Sequence, residues 1–171
     1  MAKRIVSITT NTPTPAADTT NLVDATYPLL LQGGSGTQRV QICEVSLTGQ
    51  GGASAVAIML LSRDSTVGTG SNTRSTGQTD APLDPATAAL ALPVLTGNQF
   101  ATNKPQRDTA NHLHNFSVNA FGGQIYWRPA MYPDQAPVVL GNTASFGEIS
   151  LSAFTGSGSA ALGAYIIYEP L

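Results

Sequence analysis

The sequence predicts an all-β protein: a single antiparallel β-sandwich or jelly roll preceded by an extended N-terminal arm. Three observations predict it. Short runs rich in Val, Ile, Leu, Tyr and Phe recur along the 171 residues, broken by clusters of Gly, Asn, Ser and Pro. No segment keeps a 3.6-residue apolar repeat over three turns. Asp, Glu, Lys and Arg make up only 11% of the chain, with a net charge of −2, against about 25% charged residues in ordinary soluble domains. The length fits one domain, divided as an arm over 1–25 and a sandwich over 26–171.

The elements follow in order. "KRIVSITT" (3–10) spaces Ile5, Val6 and Ile8 for an extended arm, and "TTNTPTPAADTTNLVDA" (9–25) continues it as a polar stretch with Pro13 and Pro15. "RVQICEVSLTG" (39–49) reads as a strand with Val40, Ile42, Glu44 and Ser46 on one parity and Gln41, Cys43, Val45 and Leu47 on the other. Both faces are half apolar, as in a strand packed on both sides. "GQGG" (49–52) is a turn, and "ASAVAIMLLSR" (53–63) returns as a near-continuous apolar strand, completing a hairpin. "STVGTGSNTRSTGQTDAPLDP" (65–85) is a long Gly/Ser/Thr-rich loop, of a length that in a compact domain goes with function or flexibility. In "DPATAALALPV" (84–94), Asp84 caps and Pro85 opens one short helix, with an extended loop as the alternative. Further strands are expected at 113–121, 124–129, 136–141, 147–156 and 163–171.

Composition excludes several functions. The eight Lys and Arg residues are scattered, whereas nucleic acid calls for a basic stripe. The longest apolar run, "AVAIMLL" (55–61), is too short to span a bilayer, and no apolar signal-peptide segment follows "MAKRIV". Cys43 is the only cysteine, so no intrachain disulfide forms, and within its strand it reads as a small hydrophobe rather than a nucleophile. "GGSG" (33–36) and "GQGG" lack the Lys-Ser/Thr of a phosphate loop and read as turns. "HLH" places His112 and His114 two apart on one strand face, but no further His or Cys cluster supports a metal site. The carboxylates are spread along the chain, and none pairs in a way that points to acid–base chemistry. No cofactor, metal or catalytic residue is therefore expected, and the protein reads as a non-enzyme.

The aromatic segment "GGQIYWRPAMYPDQAPVVLG" (122–141) holds the only tryptophan. Strand alternation sets Tyr126 and Arg128 on one face and Ile125 and Trp127 on the other. The second pair closes the core. The first, with Tyr132 beyond it, has the residue types enriched at protein interfaces. The rival is a carbohydrate-binding or host-recognition module, a head fibre or lectin-like sandwich, with Tyr126, Trp127 and Tyr132 as stacking platforms. A surface so poor in charge desolvates cheaply, which favours a chain buried among neighbours.

Several stretches resemble small β-sandwich virion proteins of tailed bacteriophages: "ITTNTPTPAADTTNLVDA" (8–25), "ICEVSLTGQGGASAVAIMLLSR" (42–63), "IYWRPAMYPDQAPVVLGN" (125–142) and "GAYIIYEPL" (163–171). One stretch departs from the family's pattern: "NQFATNKPQRDTANHLHNF" (98–116) is longer and more polar. The resemblance implies a jelly-roll, tumour-necrosis-factor-like sandwich of a kind that often trimerises and sits on or between capsid proteins as a decoration or cement subunit, or at vertices and fibre bases. The homotrimer and the major capsid protein are then the partners, with no nucleic acid and no membrane. The location is the virion surface after synthesis in the host cytoplasm. Ile5, Val6, Ile8, Pro13 and Pro15 would dock the arm, and Tyr126, Arg128 and Tyr132 would make subunit contacts. On that reading, removal of residues 2–15 leaves a folded trimer that no longer binds capsids.

Overall fold

The computed structural model describes residues 4–11, 29–33, 37–67, 72–73, 78–84, 94–97, 99–100, 105–131, 136–140, 147–153 and 162–171. Its strands are β1 (Arg4–Asn11), β2 (Leu29–Gly33), β3 (Val40–Gly49), β4 (Val56–Thr66), β5 (Asn72–Thr73), β6 (Gln78–Pro82), β7 (Val94–Gly97), β8 (Gln99–Phe100), β9 (Gln106–Asn119), β10 (Gln124–Trp127), β11 (Val138–Val139), β12 (Glu148–Ala153) and β13 (Leu162–Pro170). One turn of 3-10 helix follows β10 at Pro129–Met131. Among the described residues no helix is long and apolar enough to cross a membrane.

The strands form an antiparallel sandwich. The first sheet runs β10-β3-β13-β1-β6, with β11 also on β3, and the second runs β7-β2-β12-β4-β9. Without the edge strands β6 and β7, the two sheets read β10-β3-β13-β1 and β2-β12-β4-β9. The chain therefore alternates between sheets as it proceeds, stays in the second for β4 and β9, and returns. That winding is the jelly roll. The core lies between the sheets: Val40, Ile42, Val45, Leu47, Leu162, Ala164, Ile166 and Tyr168 from the first meet Ala57, Met59, Leu61, Phe116, Val118, Ile149 and Leu151 from the second.

The mixed parity of β3 has a specific cause. In the ladder with β13, Ile167 pairs with Glu44 and Tyr168 with Ile42, so Cys43 is an extra residue in a β-bulge. The bulge resets the alternation. Val40 and Ile42 before it, and Val45 and Leu47 after it, all reach the core. Gln41, Glu44 and Ser46 fall on the outer face.

The arm differs from the sequence expectation. Arg4–Asn11 is an interior strand: Ile5 pairs with Ile167 on one side and Ala81 on the other, and Val6 with Ile166 and Asp80. The backbone of Ile5, Val6 and Ile8 is thus committed to the chain's own sheet, because alternating Ile and Val suit a ladder as well as a free arm. Pro13 and Pro15 lie outside the described residues. The expected loop at 65–85 is also partly strand. β4 runs on to Thr66, β5 pairs with β8, and β6 extends the first sheet beside β1. The short helix expected over 84–94 falls mostly outside the described residues, and Val94 begins β7, which pairs with β2.

At one end of the sandwich two turns are tied together. Gly51 N donates to Ala120 O (2.7 Å), Ala120 N to Ala55 O (2.8 Å) and Asn119 Nδ2 to Ser54 Oγ (2.8 Å). A Cβ at Gly49 would lie 2.3 Å from Asn119 O, so only glycine permits this approach. At the other end Leu171 N donates to Arg39 O (2.9 Å), and Arg63 Nη1 on β4 reaches Val138 O on β11 (2.9 Å), joining the two sheets.

Candidate interaction surface

The aromatic segment lands where alternation predicted. β10 is the edge strand beside β3, with Tyr126 opposite Ser46 and Trp127 opposite Val45. Ile125 and Trp127 pack against the core, whereas Tyr126 is 48% exposed. Across the sheet, Ser46 also faces Tyr165 of β13, so Tyr126, Ser46 and Tyr165 form one row on the outer face.

Glu44 organises this face, and the Cys43 bulge is what turns it outward. One carboxylate oxygen accepts from Arg128 Nε (2.6 Å) and the other from the Tyr165 hydroxyl (2.5 Å). The Arg128 guanidinium carbon then sits 5.1 Å from the centroid of the Tyr126 ring. Gln124 Nε2 donates to Ser46 Oγ (3.0 Å). Burial, followed by the Glu44 carboxylate beside it, pushes the Tyr165 hydroxyl above the usual phenol range. The Arg128 side chain is half exposed, so its ion pair contributes about 0.2–1 kcal/mol. Its larger effect is orientation: one carboxylate holds a guanidinium and a phenol in fixed positions beside an exposed ring. Such a patch is neutral, preorganised and aromatic, which suits protein contact.

Of the residues expected at an interface, the structure brings Tyr126 and Arg128 together, and Tyr132 lies outside the described residues. Glu44, Ser46, Gln124 and Tyr165 were not anticipated. The available signal was Glu44, the one charged residue of its strand. Trp127 points inward, and its ring stacks on His114 of β9 at 4.8 Å and 3°. One face of the ring proposed as a sugar platform is thus taken by the protein itself.

His112 and His114 do not share a face. Leu61 pairs with His114 but Ser62 with His112, so β9 carries a bulge at Leu113. His114 packs against Trp127 and edge-on to Phe116, while His112 is exposed. Among the described residues no group of three His, Cys, Asp or Glu side chains is placed to hold a metal ion. Cys43 is buried in the bulge.

Two carboxylates that are far apart in the sequence are neighbours on the outer face of the second sheet. Asp64 of β4 and Glu148 of β12 are both fully buried, on adjacent strands one register step beyond the Arg63–Ile149 pair. Ser150 Oγ donates to Asp64 Oδ1 (2.8 Å), and Arg107 Nη1 of β9 donates to Ser152 Oγ (3.0 Å). Burial pushes the Asp64 carboxyl up to about 7, against the lowering effects of Glu148, Ser150 and Arg107. The pair comes from distant parts of the sequence, and nothing local announces it.

Comparison with protein-family models, curated proteins and solved structures found no match.

Proposed function

We propose that this chain is a non-enzymatic structural subunit of a bacteriophage virion, a capsid decoration or cement protein that works as a homo-oligomer. The observation that carries the reading is the outer face of the first sheet. There a charge-poor jelly roll presents an exposed Tyr126 beside an Arg128 fixed by Glu44. The resemblance of the segments at 8–25, 42–63, 125–142 and 163–171 to small phage virion proteins supplies the trimer and the capsid as partners. The action is mechanical. Apolar and hydrogen-bonded contacts across neighbouring capsomers oppose their separation, and a surface with few ions loses little solvation when covered.

The test is light-scattering mass of the purified chain together with cosedimentation and electron micrographs of phage heads, for wild type and for Tyr126→Ala/Arg128→Ala. Wild type is expected to be trimeric and to occupy heads at regular lattice positions. The double variant should bind at least tenfold more weakly, in line with the loss of two central contacts. A monomer that ignores particles would overturn the proposal, and glycan binding lost in Tyr126→Ala would put the carbohydrate module in its place.

A further inference from the structure

The large apolar side chains that the described residues leave in solvent are not spread evenly. Four of the seven, Phe121, Tyr126, Met131 and Leu140, come from one stretch of chain. Phe121 and Met131 are the most exposed of them, at 68% and 69%. The stretch follows one edge of β3. β10 lies against residues 45–48, the 3-10 turn carries Met131, and β11 lies against Val40 and Gln41. β13 occupies the other side of β3, and among the described residues no strand pairs outside β10. The four side chains therefore mark out an apolar rim along the first sheet, bordering the Tyr126–Arg128 face.

The two most exposed residues are chemically different. Phe121 N donates to Asn119 Oδ1 (2.9 Å), Asn119 Nδ2 to Ser54 Oγ (2.8 Å) and Gly122 N to Asn119 O (3.4 Å). A fixed turn thus holds the ring out, and little order is left to lose when it is covered. Met131 closes the 3-10 turn, where its N donates to Arg128 O (3.2 Å). Its side chain is a flexible thioether, a group that packs well against an aromatic ring. A fixed ring and an adaptable sulfur complement each other, so a second copy of the rim supplies what the first exposes.

Charge points to the same partner. Among the described residues of this stretch Arg128 is the only ion, and Glu44 of the same chain neutralises it. Two copies can press this rim together without like charges meeting, which a patch of one sign would forbid. An apolar contact of this kind is the character of an interface between identical subunits.

We infer that the rim from Phe121 to Leu140 is covered by a second copy of this chain, with Phe121 and Met131 as the anchors. The inference rests on the homo-oligomer proposed above and assigns its subunit contact to this edge.

The test is light-scattering mass over a concentration series for wild type, Phe121→Ser, Met131→Glu and Leu83→Ser. Leu83 is 52% exposed and follows β6 at the opposite edge of the first sheet, so it serves as the control. Wild type and Leu83→Ser should give the same oligomer. Each rim variant should self-associate at least tenfold more weakly, with an unchanged circular dichroism spectrum. The two rim variants are independent, so one that unfolds leaves the other to decide. Folded rim variants that keep the wild-type mass, or a control that dissociates as readily, overturn the inference. So does loss of binding to phage heads with the mass unchanged, which would give the rim to the capsid. A monomeric wild type ends both the inference and the proposed oligomer. An oligomer that rim substitutions dissolve, but that never binds heads, sustains the inference and removes the virion reading alone.

Discussion

His114 shows how a single side chain is set by its surroundings. Its ring lies between the edge of Phe116 and the face of Trp127, and burial pulls the imidazole below its usual 6.5. The folded state therefore favours the neutral ring. This contribution is complete above the unfolded value and is lost as pH falls through the lowered folded one. Trp127 is the only tryptophan and is stacked on that ring, so its emission should report the titration, with a midpoint below 6.5. His114→Phe should remove the pH dependence of emission and the acid-side loss of stability together. A midpoint above the ordinary histidine range would contradict the stacked geometry. Tyr126 was legible as outward-facing because alternation over four residues needs no tertiary information. Its fixation by Glu44 was not, because the carboxylate comes from another strand.

At the scale of one strand, the Cys43 bulge makes a sharper prediction. Without Cys43, β3 would read Val40-Gln41-Ile42-Glu44-Val45-Ser46-Leu47, a clean alternation with the same residues inward and outward as in the native strand. Deleting Cys43 should therefore keep the fold at a cost of about 1–2 kcal/mol, the loss of one small buried side chain. Deleting Ser46 shifts Leu47 out of the core and should cost about 2–5 kcal/mol. Thermal or urea unfolding of the two deletions settles the order, and equal losses would refute the bulge as the device that sets both faces. Sequence parity detected that both halves of β3 were apolar but assigned the cause to packing on two sides. The physical cause is one extra residue, visible only once the partner strand shows which residues oppose each other. β2 was missed for a related reason: "LLLQG" has no alternation, and its register against β12 is what makes it a strand.

For the whole molecule, the position of β1 matters most. It lies between β13 and β6, so removing it detaches β6 from the first sheet and leaves β13 an unpaired edge on that side. Deletion of residues 2–15 should therefore abolish cooperative unfolding and yield insoluble or unfolded chain, in place of the folded trimer expected from a free arm. Circular dichroism and solubility test this directly. A folded deletion product would mean that β1 is dispensable to the sheet. The two sheets also differ in character. The first shows solvent a neutral aromatic face, suited to another protein, and the second covers an ionisable cluster. Among the described residues Arg128 pairs with Glu44 on the outside of the first sheet, and Arg107, Asp64 and Glu148 are buried on the second.

The amino-acid sequence by itself determined the all-β class, the positions of β3, β4 and the later strands and the inward and outward faces of β10; the hairpin it suggested for β3 and β4 is overturned, because the turn between them crosses from the first sheet to the second. What it determined depends on period-two patterning and turn residues, which act over a few positions. Only the tertiary structure decided that the N-terminal segment is an interior strand, that Cys43 and Leu113 are bulges, and that Asp64 meets Glu148. Each of those depends on which strand lies alongside, and hydrogen-bonded pairing between distant segments leaves no local trace in either of them.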